Sequence, residues 1–161
     1  MTTKITDIIM VMRTTFRSIC LALLLVATSA HAAGLLVVEQ AWIRTAPPGT
    51  AMLAGYAVLH NRGDEALSID TVSSAAFASV SLHETSEENG VSKMRALPSL
   101  VIAPGASVEL APGGKHLMLM QPSSEVAAGK SVNILFVLGD KARVNATFSV
   151  RDDAPPDDDA H

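Results

Sequence analysis

Four residues in the middle of the chain, His83, Met94, His116 and Met118, carry side chains that could hold a metal ion. Together they offer two imidazole nitrogens and two thioether sulfurs. Thioether sulfur is a soft ligand that suits copper(I), whereas zinc, calcium and magnesium generally prefer thiolates, carboxylates or carbonyl oxygens. The residue types therefore predict a site for one copper(I) ion.

Strand geometry supports the pairing of His116 with Met118. Residues two apart on an extended strand leave the same face about 6.6 Å apart, and the residues between them face the other way. Leu117 and Leu119 are then assigned to the core. Met120 falls on the same outer face, where it could line or cover the site, although packing under a neighbouring loop is the expected role.

The hairpin that contains His83 and Met94 has two possible registers. If residues 87–90 form a four-residue loop, His83 stands directly opposite Met94, and the Cβ atoms lie about 4.5–5.5 Å apart. A two-residue turn at Asn89-Gly90 would shift this pairing.

Taken singly, these residues have ordinary explanations. A histidine on a strand is usually a surface or hydrogen-bonded residue, and methionine mostly fills cores. His60, at a strand end, is expected at the surface. Trp42, Tyr56 and Met52 are expected to pack in or near the core, with Met52 a lesser candidate for an accessory ligand.

The N-terminal region has the features of a secretory signal peptide. From Met12 it reads Arg13 and Arg17, an apolar run of residues 19–27, and Ala30-His31-Ala32. We expect a signal peptide over residues 1–32, with the start at Met1 or Met12, and export to the periplasm. The apolar run is shorter than the about 20 residues that span a bilayer, so the mature form is not expected to be membrane-embedded.

The composition of the remaining chain narrows its function. Removing residues 1–32 takes away Lys4, Arg13, Arg17 and Asp7, so the formal net charge of −4 becomes about −6. An acidic protein of this kind lacks the excess of positive charge that binds the phosphates of nucleic acid. The only cysteine, Cys20, leaves with the leader and lacks a lipoprotein cleavage box, so no lipid anchor is expected. Residues 33–151 are expected to form one domain.

The sequence of the mature chain has the pattern of short β-strands, which are separated by turns that contain Gly, Pro and Asn. About eight or nine strands predict an all-β sandwich or Greek-key barrel. Residues 73–77 and 123–128 could form short helical turns, and the acidic residues 152–161 are expected to be a disordered tail. The predicted strands are 35–43, 52–61, 66–72, 79–84, 91–94, 107–110, 116–120, 131–138 and 143–150.

The spacing of the four residues resembles a known signature. His83, ten residues, Met94, twenty-one residues, and His116-x-Met118 match the His-x10-Met-x21-His-x-Met pattern of the periplasmic copper(I) chaperones called PCu(A)C. Ala41-Trp42-Ile43-Arg44 and Gly113-Gly114-Lys115 resemble further segments of that family. The resemblance covers residues 34–150.

This resemblance implies a cupredoxin-like β-barrel that holds one copper(I) ion and passes it on. The recipient in this family is generally the dinuclear copper site of cytochrome c oxidase, often with a Sco-type protein in the same pathway. Many members have methionine directly after the first histidine, where this chain has Glu84. We expect a monomer.

Three alternatives belong to other classes. A blue-copper electron carrier needs a cysteine thiolate, which the mature chain lacks. A periplasmic β-sandwich used only for protein interaction, or a copper buffer without a dedicated recipient, stays open. Neither a nucleophile elbow nor a paired-carboxylate site is evident, so we do not expect an enzyme.

Overall fold

A computed structural model describes residues 36–47 and 49–153. The expected signal peptide, residues 1–32, lies outside the described residues, as does the expected tail apart from Asp152 and Asp153. Every regular element in the described part is a β-strand, which confirms the all-β class. The strands are β1 (Leu36–Arg44), β2 (Met52–Asn61), β3 (Leu67–Ser73), β4 (Phe77–Glu88), β5 (Val91–Ala96), β6 (Leu100–Ile102), β7 (Ser107–Leu110), β8 (Lys115–Pro122), β9 (Ser131–Leu138) and β10 (Arg143–Arg151).

Ten strands form where eight or nine were expected, because the sequence pattern missed β6. This strand has only three residues between Pro98 and Pro104, which is too short for an alternating pattern to stand out. The two short helical turns expected at residues 73–77 and 123–128 are wrong: the first is a tight turn before β4, and the second is irregular.

The strands pair in the order β5-β4-β8-β2-β1-β10-β9-β3-β6, and β7 pairs with the second half of β2. β1 and β10 are parallel, and the other pairs are antiparallel. β3 and β4 contact each other although they are far apart in this order. The sheet therefore folds over on itself as a sandwich, which agrees with the predicted architecture.

The core lies between the two layers and takes alternate residues from nearly every strand. Leu117 and Leu119 of β8 are fully buried, as are Ile134, Phe136 and Phe148 of the facing strands. Burying a side chain of this size stabilises the fold by about 1.5–3 kcal/mol. Burial of the two leucines thus determines which face of β8 packs on the core, and the opposite face of β8 points outward.

Gly55 of β2 lies directly opposite Leu117 of β8. A Cβ atom at this position would lie 3.4 Å from Cβ of Leu117 and 3.4 Å from Cδ1 of Leu119, which is the shortest ordinary van der Waals contact. The backbone of Gly55 therefore packs directly against the buried leucines of β8.

Within the described residues, no helix has the length and apolar character needed to cross a membrane.

Candidate metal centre

β8 presents His116 and Met118 on its outward face, as the alternation predicted. Leu117 and Leu119 between and beside them have no exposed surface. His116 is itself only 7% exposed, while Met118 is half-buried. A buried imidazole and a half-buried thioether therefore stand side by side on the outward face of β8, outside the main core.

β4 brings the second histidine directly beside the first. His83 pairs with His116 in the antiparallel register of β4 and β8, and the centroids of the two rings are 6.0 Å apart. Directly opposed residues share one face of a sheet. The two histidines, which are far apart in sequence, therefore meet on the outward face.

The β4–β5 hairpin turns at Asn89-Gly90, where the φ angles are 54° and 78°. Two consecutive residues with positive φ are typical of the two-residue type I′ turn, whose twist matches that of the flanking strands. This turn places Met94 opposite Thr85. The four-residue loop considered over residues 87–90 does not form.

The predicted pairing of His83 with Met94 is consequently wrong, because His83 stands opposite Ala96. Met94 lies two residues from Ala96 on β5 and so points to the same face as His83, in a diagonal position. Diagonal neighbours are about 7–8 Å apart, which a long side chain can bridge. The observed register differs from the predicted one by two residues, and His83 and Met94 still share one face.

Three of the four predicted residues line one cavity of ≈ 300 Å³: Met94, His116 and Met118. Met52 and Arg44 contribute further to the same wall. Met94 is 53% exposed and belongs to an edge strand whose residues are all exposed. The fourth predicted residue, His83, stands outside this wall, across the strand pair from His116.

The hydrogen bond of His116 determines which ring nitrogen is available. Nδ1 lies 3.0 Å from the carbonyl oxygen of Gly114, and a carbonyl only accepts, so Nδ1 carries the proton. Nε2 is then unprotonated in the neutral ring. Fixing one nitrogen with a backbone carbonyl is how metal-binding histidines are commonly oriented.

His83 has one engaged and one free ring nitrogen. Nε2 lies 3.1 Å from the hydroxyl oxygen of Ser81, and Nδ1 is buried without a hydrogen-bond partner. Burial and the charge of the neighbouring His116 lower the pKa of His83 below its usual 6.5. The neutral imidazole is therefore favoured at physiological pH.

Glu84, the residue after His83, points to the opposite face from His83. Its carboxylate accepts hydrogen bonds from Nζ of Lys115 at 2.9 Å and from the guanidinium of Arg95 at 2.5 Å and 3.1 Å. These hydrogen bonds, that of Lys115 first, lower the pKa of Glu84. The carboxylate is thus engaged away from the candidate ligands.

Within residues 36–47 and 49–153, no group of three or more His, Cys, Asp or Glu side chains is placed to hold a metal ion. The larger cavity of ≈ 970 Å³, formed by the loops around residues 45–51 and 121–128, is lined by neither imidazole nor thioether groups in the described residues.

The remaining candidates lie outside the main core and differ in their burial. Trp42 and Tyr56 are buried, as predicted, with ring centroids 4.8 Å apart, and the guanidinium of Arg44 lies over both rings. Met52 was expected in or near the core and is instead 48% exposed. His60 is partly buried and lies beside Ser107 and Glu39, rather than free at the surface.

Comparisons with known proteins place the chain in a family. The family description "Putative lipoprotein LpqE-like" matches residues 36–150. The protein Lxx21020 of Leifsonia xyli subsp. xyli is 31% identical over 71% of this chain and 69% of its own length. RP573 of Rickettsia prowazekii is 27% identical over 63% of this chain, which spans 57% of that relative.

Solved structures of similar chains have the same fold. The apo PCuAC domain of PmoF2 is 26% identical and superposes with a TM-score of 0.63 over 76% of this chain and 95% of that domain. The copper(I) form of DR1885 from Deinococcus radiodurans is 27% identical, with a TM-score of 0.61 over 78% of this chain and 84% of its own. These matches confirm the cupredoxin-like sandwich. With the family match over residues 36–150, they establish that the chain belongs to the LpqE-like, or PCuAC, family.

Proposed function

We propose that this protein is a periplasmic copper(I) chaperone. It binds one copper(I) ion through His83, Met94, His116 and Met118 and delivers the ion to a partner protein. The observation that carries the proposal is the shared cavity of Met94, His116 and Met118, with His83 facing His116 across the strand pair. This arrangement supplies only neutral imidazole and thioether donors.

The available atoms suit such a ligand set. His116 binds through Nε2, because Nδ1 donates to Gly114. His83 binds through Nδ1, which is buried and has no other partner, while Ser81 retains Nε2. Two imidazoles and two thioethers bring no negative charge, which disfavours copper(II) and suits the monovalent, soft ion.

Related proteins support the choice of metal. DR1885 has been solved in a copper(I) form at 27% identity to this chain. The PCuAC domain of PmoF2 belongs to the same structural group. In this chain, the residues that could coordinate the ion include the four of the PCu(A)C pattern named above, on three neighbouring strands.

Release of the ion follows from the position of Met94 and the neutrality of the ligands. Met94 is on the exposed edge strand β5, where few contacts oppose its withdrawal from the ion. A copper(I) ion held by neutral ligands keeps its positive charge. Transfer to a thiolate-bearing acceptor is therefore downhill, because the anionic sulfur neutralises that charge.

The acceptor we propose is cytochrome c oxidase subunit II, a Sco-type protein, or both, during assembly of the oxidase copper site. The proposed location is the periplasm, reached through a cleavable signal peptide. The family description names lipoproteins, whereas the single cysteine of this chain, Cys20, follows Arg17-Ser18-Ile19. We therefore propose export without a lipid anchor.

Competition between the exported protein and a copper(I) chelator tests the binding step. We expect one ion per chain, with an affinity that falls at least about tenfold in His116→Ala, since even outer partners of metal ligands are worth 10–100-fold. His60→Ala is the matched control, because it removes a partly buried imidazole outside the site. Equal affinities of both variants and the native protein would refute the proposed site.

Transfer kinetics separate delivery from buffering and from a pure interaction module. A chaperone passes copper(I) to an acceptor at a rate that rises with acceptor concentration beyond the rate of spontaneous release. A buffer releases the ion at one rate for every acceptor. An interaction module binds no copper(I) in the first experiment.

A further inference from the structure

We propose a second soft-cation site on the same face, made of three thioethers: Met52, Met118 and Met120. It shares Met118 with the copper site proposed above and rests on that function to this extent. Its ligand class is a monovalent soft ion, copper(I) or silver(I). The His-x10-Met-x21-His-x-Met spacing and the named ligand set include neither Met52 nor Met120.

The register of β2 and β8 brings the three residues together. Met52 stands directly opposite Met120, and Ala54 stands opposite Met118. Directly opposed Cβ atoms are about 4.5–5.5 Å apart and diagonal neighbours about 7–8 Å, so Met52 reaches both other thioethers. Leu53 and Leu119, the residues in between, are buried in the core.

Small residues stand beside Met118 and Met120 on the neighbouring strands. Met118 lies between Ser81 of β4 and Ala54 of β2, and Met120 lies opposite Ser79. Methionine has three rotatable bonds and adapts its sulfur position to the space around it. Met118 can therefore turn toward His116 or toward Met52 and Met120.

The exposure of Met52 is poorly explained by packing. A cross-strand pair of methionines could be an ordinary apolar contact, in which both side chains leave water. Met52 instead remains 48% exposed and lines the same cavity as His116 and Met118. The thioether of Met52 is therefore accessible from solvent and can bind an ion that enters or leaves the cavity.

The chemistry of three thioethers defines what this site takes. It has no imidazole, carboxylate or thiolate, so it offers nothing to zinc, calcium or copper(II) and retains the affinity of soft sulfur for monovalent ions. With three neutral ligands and no imidazole, it binds more weakly than the site with both histidines. It therefore acts as an intermediate binding site, from which the ion moves to His83 and His116 or through which it leaves them.

Silver(I) titration of the exported protein tests the proposal, with the methionine methyl groups followed by NMR. In the His83→Ala/His116→Ala variant, which lacks both imidazoles, we expect the methyl signals of Met52, Met118 and Met120 to shift. Addition of Met52→Leu in this background lowers the silver(I) affinity at least about tenfold, as for the loss of a direct ligand. The backbone amide spectrum reports whether each variant folds.

The matched comparison is Val101→Ala in the same double-histidine background. It removes an exposed apolar side chain on β6, which pairs with β3 and carries no residue of either proposed site, and the silver(I) affinity is expected to stay the same. The proposal is overturned if the double-histidine variant binds no silver(I), or if Met52→Leu weakens binding no more than Val101→Ala. Failure here leaves the copper(I) titration of the native protein and His116→Ala as the separate test of the proposed function.

Discussion

His83 and His116 stand directly opposite each other on β4 and β8, with their ring centroids 6.0 Å apart. Two imidazoles this close interact unfavourably when both are protonated and favourably with a shared cation. One nitrogen of each ring is held by a neighbour, Gly114 for His116 and Ser81 for His83. The pair is thus oriented before any ion arrives.

The first prediction concerns pH. Copper(I) binds the neutral imidazole, so protonation of His83 competes with the metal. Because burial and the charge of His116 lower the pKa of His83 below 6.5, His83 stays neutral to a lower pH than a free histidine. We expect the affinity that depends on His83 to be constant from about pH 8 to about 6.5 and to fall at lower pH, by up to about tenfold per unit for each proton displaced.

A chelator competition series from about pH 8 to about 5 measures this dependence. The comparison variant is His83→Gln, which cannot take up the proton and should show a weaker affinity with a shallower dependence on pH. An affinity that already declines between about pH 8 and 7 would contradict the depressed pKa.

The second prediction separates the core face of β8 from its outward face. Leu117→Ala removes a fully buried side chain and should lower the free energy of unfolding by about 2–5 kcal/mol. Met118→Leu conserves volume at a half-buried position and should cost less than about 1.5 kcal/mol. When only folded protein is compared, Met118→Leu should weaken copper(I) binding more than Leu117→Ala does.

Urea denaturation gives the stabilities, and chelator competition gives the affinities. Met118→Leu that retains the native copper(I) affinity would exclude this thioether as a ligand. A small stability loss in Leu117→Ala would contradict the assignment of the faces.

The third prediction concerns the charge behind the site. Glu84 neutralises Lys115 and Arg95, and Glu84→Gln leaves both cations without a partner on the face opposite the bound copper(I) ion. We expect a loss of affinity of about twofold to fivefold at low salt that disappears near 1 M salt, where the Debye length is about 3 Å.

Glu88→Gln is the control for Glu84→Gln, since Glu88 pairs with Lys93 at the far end of the hairpin. It should leave the affinity unchanged at any salt concentration. A loss in Glu84→Gln that persists at high salt would indicate a structural role of the carboxylate instead.

The fourth prediction concerns Arg44, whose guanidinium lies over Trp42 and Tyr56 at the wall of the cavity. A fixed positive charge here attracts an approaching thiolate. Arg44→Gln should slow copper(I) transfer to a thiolate acceptor several-fold at low salt and leave transfer to a neutral acceptor unaffected.

Arg62→Gln serves as the control for Arg44, because Arg62 follows the opposite end of β2 and pairs with Glu39. Stopped-flow mixing of the loaded protein with each acceptor measures the rates. Equal slowing for both acceptors would mean that Arg44 shapes the cavity and does not steer the thiolate.

Local patterns in the sequence predicted a large part of this structure. Strict alternation placed Leu117 and Leu119 in the core and His116 and Met118 outside, since the period of a strand leaves no other choice. The error in the β4–β5 register was avoidable. Asn89-Gly90 is the strongest short hairpin signal, and a two-residue turn at this position fixes the pairing that the structure has.

The remaining features depend on which strands become neighbours. The pairing of His83 with His116 and of Met52 with Met120 joins segments that are far apart in sequence, and no local pattern specifies such partners. Glu84 is a similar case, because Lys115 reaches it only through the pairing of β4 with β8. Met52 was expected in or near the core because its residue type is apolar, whereas it is exposed on the outward face of β2, opposite Met120.

X-ray absorption at the copper edge of the exported, copper(I)-loaded protein tests the central claim most directly, because it counts the nitrogen and sulfur neighbours of the ion. The account predicts two nitrogen and two sulfur neighbours, with one sulfur lost in Met94→Leu and one nitrogen lost in His83→Ala. A spectrum without sulfur neighbours, or one that neither substitution changes, would contradict it.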